Sequence, residues 1–326
     1  MSCRNGDPVD VATVATSAST PQPHPRLHAY RISGLSVQSE IELRGAIATI
    51  PADAPDLVVR QGAVPSALPA PSAAGPAWQR SGGDFLLSVP RVARILISDG
   101  CSITVDIDPA ATAHDASAFV LGSSVGIILH QRGALALHGA CVAKDGRAIV
   151  LCGASGRGKS TTAAALCKRG FTLVADDISV IGSNEDGVPI VWPDGRQLKL
   201  WRRSIDGLGL DDKAGEVVRP GFEKYFVSPA GAAIDPPLLS AIYVLNSNVA
   251  VSRVAIEDVG VADAMRILDD QAYRPRLRQE LISPQARVAQ SAAVLRHAKV
   301  FTFERPLGFD RMDESLEALE RHWRTL

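Results

Sequence analysis

Arg147-Ala-Ile-Val-Leu-Cys-Gly153-Ala-Ser-Gly-Arg-Gly-Lys-Ser160 is the stretch on which the fold turns. A short apolar run of strand character ends in a glycine-rich octapeptide of the form G-x-x-x-x-G-K-S. Thr161–Arg169 then reads as an alanine-rich helix, stopped by Gly170. Glycines allow a tight loop whose backbone N–H groups converge on phosphate oxygens, and the positive end of a helix favours the same anion. Gly153, Ala154, Ser155, Gly156, Arg157, Gly158, Lys159, Ser160 and Thr161 therefore read as a phosphate loop for ATP and Mg²⁺. Lys159 would reach the β- and γ-phosphates, and the Ser160 hydroxyl would bind the metal.

Phe171–Ala175 is the next expected strand, closed by Asp176-Asp177. A strand, helix, strand crossover makes the two strands parallel in one sheet. The glycine loop and the two carboxylates then leave the sheet at the same edge. One carboxylate can serve Mg²⁺ and the other can take a proton from an attacking hydroxyl. An Asp closing a strand can also simply cap a turn.

Upstream, Asp145-Gly146 marks a hairpin turn. If these are its two central residues, Lys144 faces Arg147 and His138 falls opposite Gly153. His138 is thereby a candidate site residue, although a core histidine bonded to backbone would read the same way.

The rest of the chain supports an α/β architecture. Residues 1–25 are poor in large apolar groups and are expected to be disordered. A small β-rich domain is expected over 26–131, with strands at Leu27–Ile32, Leu57–Arg60 and Phe85–Val89. Residues 61–77 read as a Pro- and Ala-rich spacer, Asp99-Gly100 turns a hairpin between Ala93–Ile97 and Ser102–Ile107, and Ala116–Leu129 reads as an apolar helix. Residues 132–326 would form the second domain. It continues with a hairpin at Asp186-Gly187, a strand at Leu238–Leu245, helices at Val261–Gln271 and Gln285–His297, a strand at Val300–Glu304 and a last helix at Met312–Trp323.

The 326 residues carry 34 Lys+Arg against 35 Asp+Glu, a net charge of −1. That balance argues against holding nucleic acid or an anionic membrane by bulk charge. No apolar segment of ~18 residues is present, so no membrane span is expected. The N-terminus lacks the pattern of a secretory signal, and the five cysteines form no CxxC pair, which fits a cytoplasmic protein.

H-G-x-x-V at 138–142, G-x-S-G-x-G-K-S at 153–160 and K-R-G-x-x-L-V-A-D-D at 168–177 together resemble the catalytic domain of HPr kinase/phosphorylase, a bacterial serine kinase. The resemblance is close over these motifs and extends in outline from Arg132 to Leu326. It implies a P-loop kinase domain with a mixed sheet, related in fold to phosphoenolpyruvate carboxykinase. It also implies Asp177 as the base that deprotonates a substrate serine, His138 close beside it, Asp176 helping to organise Mg²⁺, and a homo-oligomer. The family's second signature, L-E-I-R-G-L-G, survives only as Gly207-Leu208-Gly209. In its Lys199-Leu200-Trp201 stretch and its β-rich front half the chain looks more like shorter HPr-kinase-like proteins from biosynthetic clusters. Those imply a serine on a peptide or protein as acceptor, including ribosomal precursor peptides of the lasso type. A small-molecule hydroxyl kinase and a nucleotide-binding sensor or scaffold with little turnover are the alternatives.

Arg196, Lys199, Arg202, Arg203, Arg219, Lys224 and Arg274 are candidates to screen phosphate charge or hold an acidic group, or else belong to a solvated basic face. Arg219 and Lys224 stand out, because Arg219–Tyr225 mixes glycine, aromatics and charge as a substrate-covering loop would.

Overall fold

A computed structural model describes residues 27–326 except 220, 222, 229, 230, 249 and 250. The expected disordered tail at 1–25 lies outside the described residues.

The first sheet has eight strands: β1 (His28–Ile32), β2 (Leu35–Ser39), β3 (Leu57–Gln61), β4 (Ala73–Gly75), β5 (Trp78–Ser81), β6 (Asp84–Val89), β7 (Ala93–Ser98) and β8 (Ser102–Ile107). Their order is β1-β2-β3-β8-β7-β6-β5-β4. The sheet is mixed, since β3 runs parallel to both β2 and β8 while the remaining pairs are antiparallel. Inward-facing residues such as Ile95, Ile97, Ile103 and Val105 are fully buried. They pack on a helical run made of α1 (Ala113–Phe119), a π-helical turn (Val120–Ser124) and α2 (Val125–Gln131). A capping box at Thr112 and Asp115 starts that run three residues before the expected Ala116. The same core takes in Ala136, Ile178, Val180 and Tyr273.

The second sheet is built around the decisive stretch. Its strands are β9 (Leu135–Leu137), β10 (Gly139–Lys144), β11 (Arg147–Cys152), β12 (Thr172–Ala175), β13 (Ser179–Ser183) and β14 (Pro189–Trp192), joined later by three more. A small three-stranded sheet follows, with β15 (Leu198–Trp201), β16 (Ala214–Val217) and β17 (Lys224–Val227) in the order β15-β17-β16. The chain then returns to the second sheet as β18 (Leu238–Asn248), β19 (Ala255–Asp258) and β20 (Lys299–Pro306). β18 runs parallel to β11 on one side and to β20 on the other.

Helices cover both faces of this sheet. α3 (Lys159–Lys168), α4 (Arg202–Leu208) and α8 (Met312–Trp323) pack on the face of Ile149 and Leu151. α5 (Val261–Asp270) and α7 (Pro284–Leu295) pack on the face of Ala148, Val150 and Cys152. Burial on both faces explains why β11 is apolar from Ala148 to Cys152 instead of alternating. α6 (Pro275–Leu281) packs against the first core. The chain is therefore mixed α/β with several mixed sheets. No helix among the described residues is long and apolar enough to cross a membrane.

The hairpin register is the expected one, Lys144 facing Arg147 through to Gly139 facing Cys152. β12 is antiparallel to β10 and hence parallel to β11, with β10 inserted between the crossover partners. The ladder stops one pair short of His138 and Gly153. Gly153 turns out of it at φ +134°, where a Cβ would lie 2.7 Å from the Leu245 carbonyl, so only glycine fits. Gln271 bridges the gap: its backbone oxygen accepts from the His138 N–H at 2.8 Å and its Oε1 accepts from the Gly153 N–H at 2.9 Å.

Candidate active site

The loop 153–158 leaves the C-terminal end of β11 and opens α3, so the first helical N–H groups point out of the sheet edge. Gly158 caps that helix in the left-handed region, φ +85°. Asp176 and Asp177 leave β12 at the same edge. A cavity of about 460 Å³ lies between them, and Ser155, Gly156, Gly158, Lys159, Ser160 and Thr161 form its loop side. Gly153 and Ala154 face a second cavity instead. Arg157 turns its carbonyl to the Arg305 guanidinium at 3.4 Å.

Lys159 is buried, with Nζ donating to the carbonyls of Gly153 at 2.7 Å and Ala154 at 3.2 Å. Burial lowers its pKa, and Cys152, Asp176 and Asp177 oppose that shift. At the next residue the Ser160 hydroxyl donates to Asp176 Oδ1 at 2.7 Å. The other Asp176 oxygen accepts from the Lys199 backbone N–H at 3.1 Å. Ser160 and Asp176 thus offer adjacent hard oxygen donors at the cavity wall. Among the described residues no cluster of three or more His, Cys, Asp or Glu could hold a metal. Two protein oxygens suit Mg²⁺, which usually takes one or two carboxylates and completes its shell with phosphate and water.

Asp177 adopts φ +76°, a sparsely populated conformation for a residue with a Cβ, of the kind that clusters at functional sites. His138 Nδ1 lies 3.1 Å from the Asp177 carbonyl and 3.4 Å from its Oδ1. Both are acceptors, so Nδ1 carries the proton. On the other side Lys199 Nζ lies 3.7 Å from Asp177 Oδ2. Burial raises the Asp177 carboxyl, but the His138 hydrogen bond and the charges of Lys199, Arg196 and His138 outweigh it. The group is held well below the usual carboxylate range. Lys199 itself is lowered by burial, against the pull of Asp177.

The other basic residues divide. Arg202, Arg203 and Lys224 line the main cavity, with Trp201 half-exposed between them. Arg202 is also tied to Asp206 and Asp211. Arg196 is buried against Asp194 and supports the fold. Arg219 is exposed in the turn between β16 and β17 and is not part of the cavity wall. Lys224 and Tyr225 begin β17, and residues 220 and 222 of the run Arg219–Tyr225 lie outside the described set.

Sequence reasoning missed Arg305. It is 1% exposed, sits at the end of β20 and reaches the glycine loop, where a Cβ on Gly158 would collide with its guanidinium. Its Nε has no hydrogen-bond partner among the described residues, and burial lowers its pKa. A buried arginine beside a glycine-rich loop can pair with an anion there. The one signal in the sequence was Arg305-Pro306-Leu-Gly308, a charge and turn residues closing a strand.

Comparison with known proteins adds a limited frame. The family described as SynChlorMet cassette protein ScmC matches residues 106–194, less than half of the chain. The match spans the glycine loop and both aspartates. No curated protein matches. A solved structure described as the Hpr(Ser) kinase/phosphatase from Coxiella burnetii aligns over 58% of this chain and 90% of its own, at 14% identity and a TM-score of 0.32. That likeness is distant.

Proposed function

We propose that the chain is an ATP- and Mg²⁺-dependent kinase that transfers the γ-phosphate to a serine hydroxyl on a peptide or protein. The observation that carries this reading is the Asp176-Asp177 pair. One carboxylate bonds Ser160 at the start of the loop helix, and its neighbour stands free of that contact between His138 and Lys199.

In this reading the loop N–H groups hold the β- and γ-phosphates in a P-loop, and Lys159 swings from the Gly153 and Ala154 carbonyls onto them. Arg305 supports the same charge from below. Mg²⁺ held by Ser160 and Asp176 would offset the negative charge of the phosphoryl oxygens. The serine hydroxyl meets Asp177, which accepts its proton as the oxygen attacks. His138 and Lys199 fix the two Asp177 oxygens and keep the base ionised. Positioning and charge compensation lower most of the barrier, since phosphoryl transfer asks little covalent chemistry of the protein.

The test is incubation of the chain with ATP-Mg²⁺ and serine peptides, read by mass spectrometry for phosphoserine. Phosphopeptide formed by the wild type and lost in Lys159→Ala is expected. ATP consumption with water as the only acceptor, or full transfer by Lys159→Ala, would overturn the reading.

A further inference from the structure

Asp177 and His138 face two cavities, not one. Besides the main cavity, a second of about 450 Å³ is lined by the same two residues, by Gly153 and Ala154, and by Tyr273 and Arg274. The glycine loop separates them, its first two residues facing the second cavity and Ser155–Thr161 facing the first.

In-line displacement puts the attacking oxygen and the leaving oxygen on opposite sides of phosphorus. A nucleotide lying along Ser155–Thr161 fills the main cavity, so the acceptor must arrive from elsewhere and still touch Asp177. The second cavity meets both conditions. Its rim also carries an arginine fixed in advance. Arg274 sits at φ +50°, ψ +64°, a conformation costing roughly 1–2 kcal/mol for an ordinary side chain. Its Nη2 donates to Ser123 Oγ at 2.6 Å, and its guanidinium lies 5.6 Å from the centre of the Tyr273 ring. Tyr273 is in turn seated against Gly126, where a Cβ would come within 2.5 Å of the ring. Arg274 is nonetheless exposed. Asp270, the acid on the same rim, is engaged by Arg266 at 3.3 Å. The arginine is held by neutral groups and presented to solvent beside the base.

We infer that the second cavity, between the Asp177–His138 pair and Tyr273–Arg274, is the acceptor site, and that it takes a serine in a polypeptide segment with an acidic neighbour bound by Arg274. This rests on the kinase reading above. The serine Oγ bonds to the γ-phosphorus from this side as the bond from phosphorus to the β,γ-bridging oxygen breaks. The serine proton passes to Asp177, and ADP leaves through the main cavity.

Two probes test it without knowledge of the natural acceptor: ATP esterified at its γ-phosphate to the serine of Ac-Asp-Ser-Ala-amide, and the same adduct of Ac-Ala-Ser-Ala-amide. Dissociation constants are measured by calorimetry with Mg²⁺, beside ATP alone. The wild type should bind the acidic adduct about three- to tenfold more tightly, the worth of one partly exposed charge-assisted contact. Arg274→Asn should erase that preference and leave ATP binding unchanged, because asparagine tolerates the left-handed backbone. Arg274→Lys should restore part of it. A preference absent from the wild type, kept in Arg274→Asn, or lost in Lys224→Ala of the main cavity would overturn the assignment. Failure to bind ATP itself would remove the kinase reading, an outcome seen with ATP alone and so distinct from the others.

Discussion

Asp177 and Asp194 are both aspartates near a cation, and they are built in opposite ways. Asp194 is buried with Arg196, Nε to Oδ2 at 2.6 Å, and its other oxygen accepts from Ser33 at 2.9 Å. Arg196 also donates to the Leu121 carbonyl at 2.9 Å, and the Asp194 N–H donates to the Val174 carbonyl at 2.8 Å. One pair thereby ties the first sheet, the helical run and β12 together. Asp177 has looser contacts of 3.4 and 3.7 Å, a strained backbone and an open side. A carboxylate with both oxygens engaged at short range holds a fold. One that is charged, oriented and incompletely engaged has capacity left for a proton.

The largest expected effect breaks that contrast at Asp177. Asp177→Asn should cut phosphate transfer by about 10²–10⁴-fold, the usual worth of a general base, with ATP affinity retained. Thermal stability should fall, because the ionised carboxylate is stabilised in the fold, but less than in a fully buried pair, since the Asp177 side chain is partly exposed. Arg196→Met should do the reverse at the other aspartate. It leaves Asp194 buried without its cation, so stability should fall by about 3–5 kcal/mol in a denaturant titration. ATP binding by the fraction still folded should persist. If Asp177→Asn unfolds the chain while Arg196→Met is silent, the two roles are exchanged. Asp176→Asn comes third. It removes the carboxylate beside Ser160, and the Mg²⁺ concentration for half-maximal transfer should rise about tenfold. An unchanged Mg²⁺ requirement would remove Asp176 from the metal site.

Much of this site could be read in the sequence because its parts are local. The strand Arg147–Cys152, the hairpin register at Asp145-Gly146 and the last helix, Met312–Trp323, stand where turn residues and periodicity put them. At Asp186-Gly187 the turn is a five-residue loop, since Asn184 Oδ1 accepts the N–H groups of Asp186 and Val188. What stayed hidden depends on distant pairing. Arg305 reaches the loop only because β20 lies parallel to β18, which lies parallel to β11. Lys199 was one basic residue among seven. The face of β15 on which it falls is set by pairing with β17, a strand in a stretch with no clear period. α6 went unread because it is short and begins at Pro275 behind an arginine in a glycine-like conformation.

The smallest effect concerns Lys199, and it sharpens the comparison by asking what keeps Asp177 ionised. A base works only when deprotonated, so transfer is lost as pH falls through its folded pKa. That pKa is depressed, so the wild-type rate should stay level through the ordinary carboxylate range and fail only in stronger acid. Any stability gained from the ionised group runs the same way: present above the unfolded pKa, and lost as pH falls through the folded one. Lys199→Met removes one of the charges that lower the pKa and leaves burial, which raises it, in place. The acid limb of the transfer profile should therefore move to higher pH, with the plateau rate changed less than in Asp177→Asn. The reciprocal change is also fixed in sign. Asp177→Asn takes away the carboxylate that holds the Lys199 pKa up, so that pKa should fall further. A pH profile of transfer in Lys199→Met and an NMR titration of Lys199 in Asp177→Asn read the same coupling from its two ends. If the limb stays in place while the lysine titration moves, a proton acceptor other than Asp177 limits the reaction.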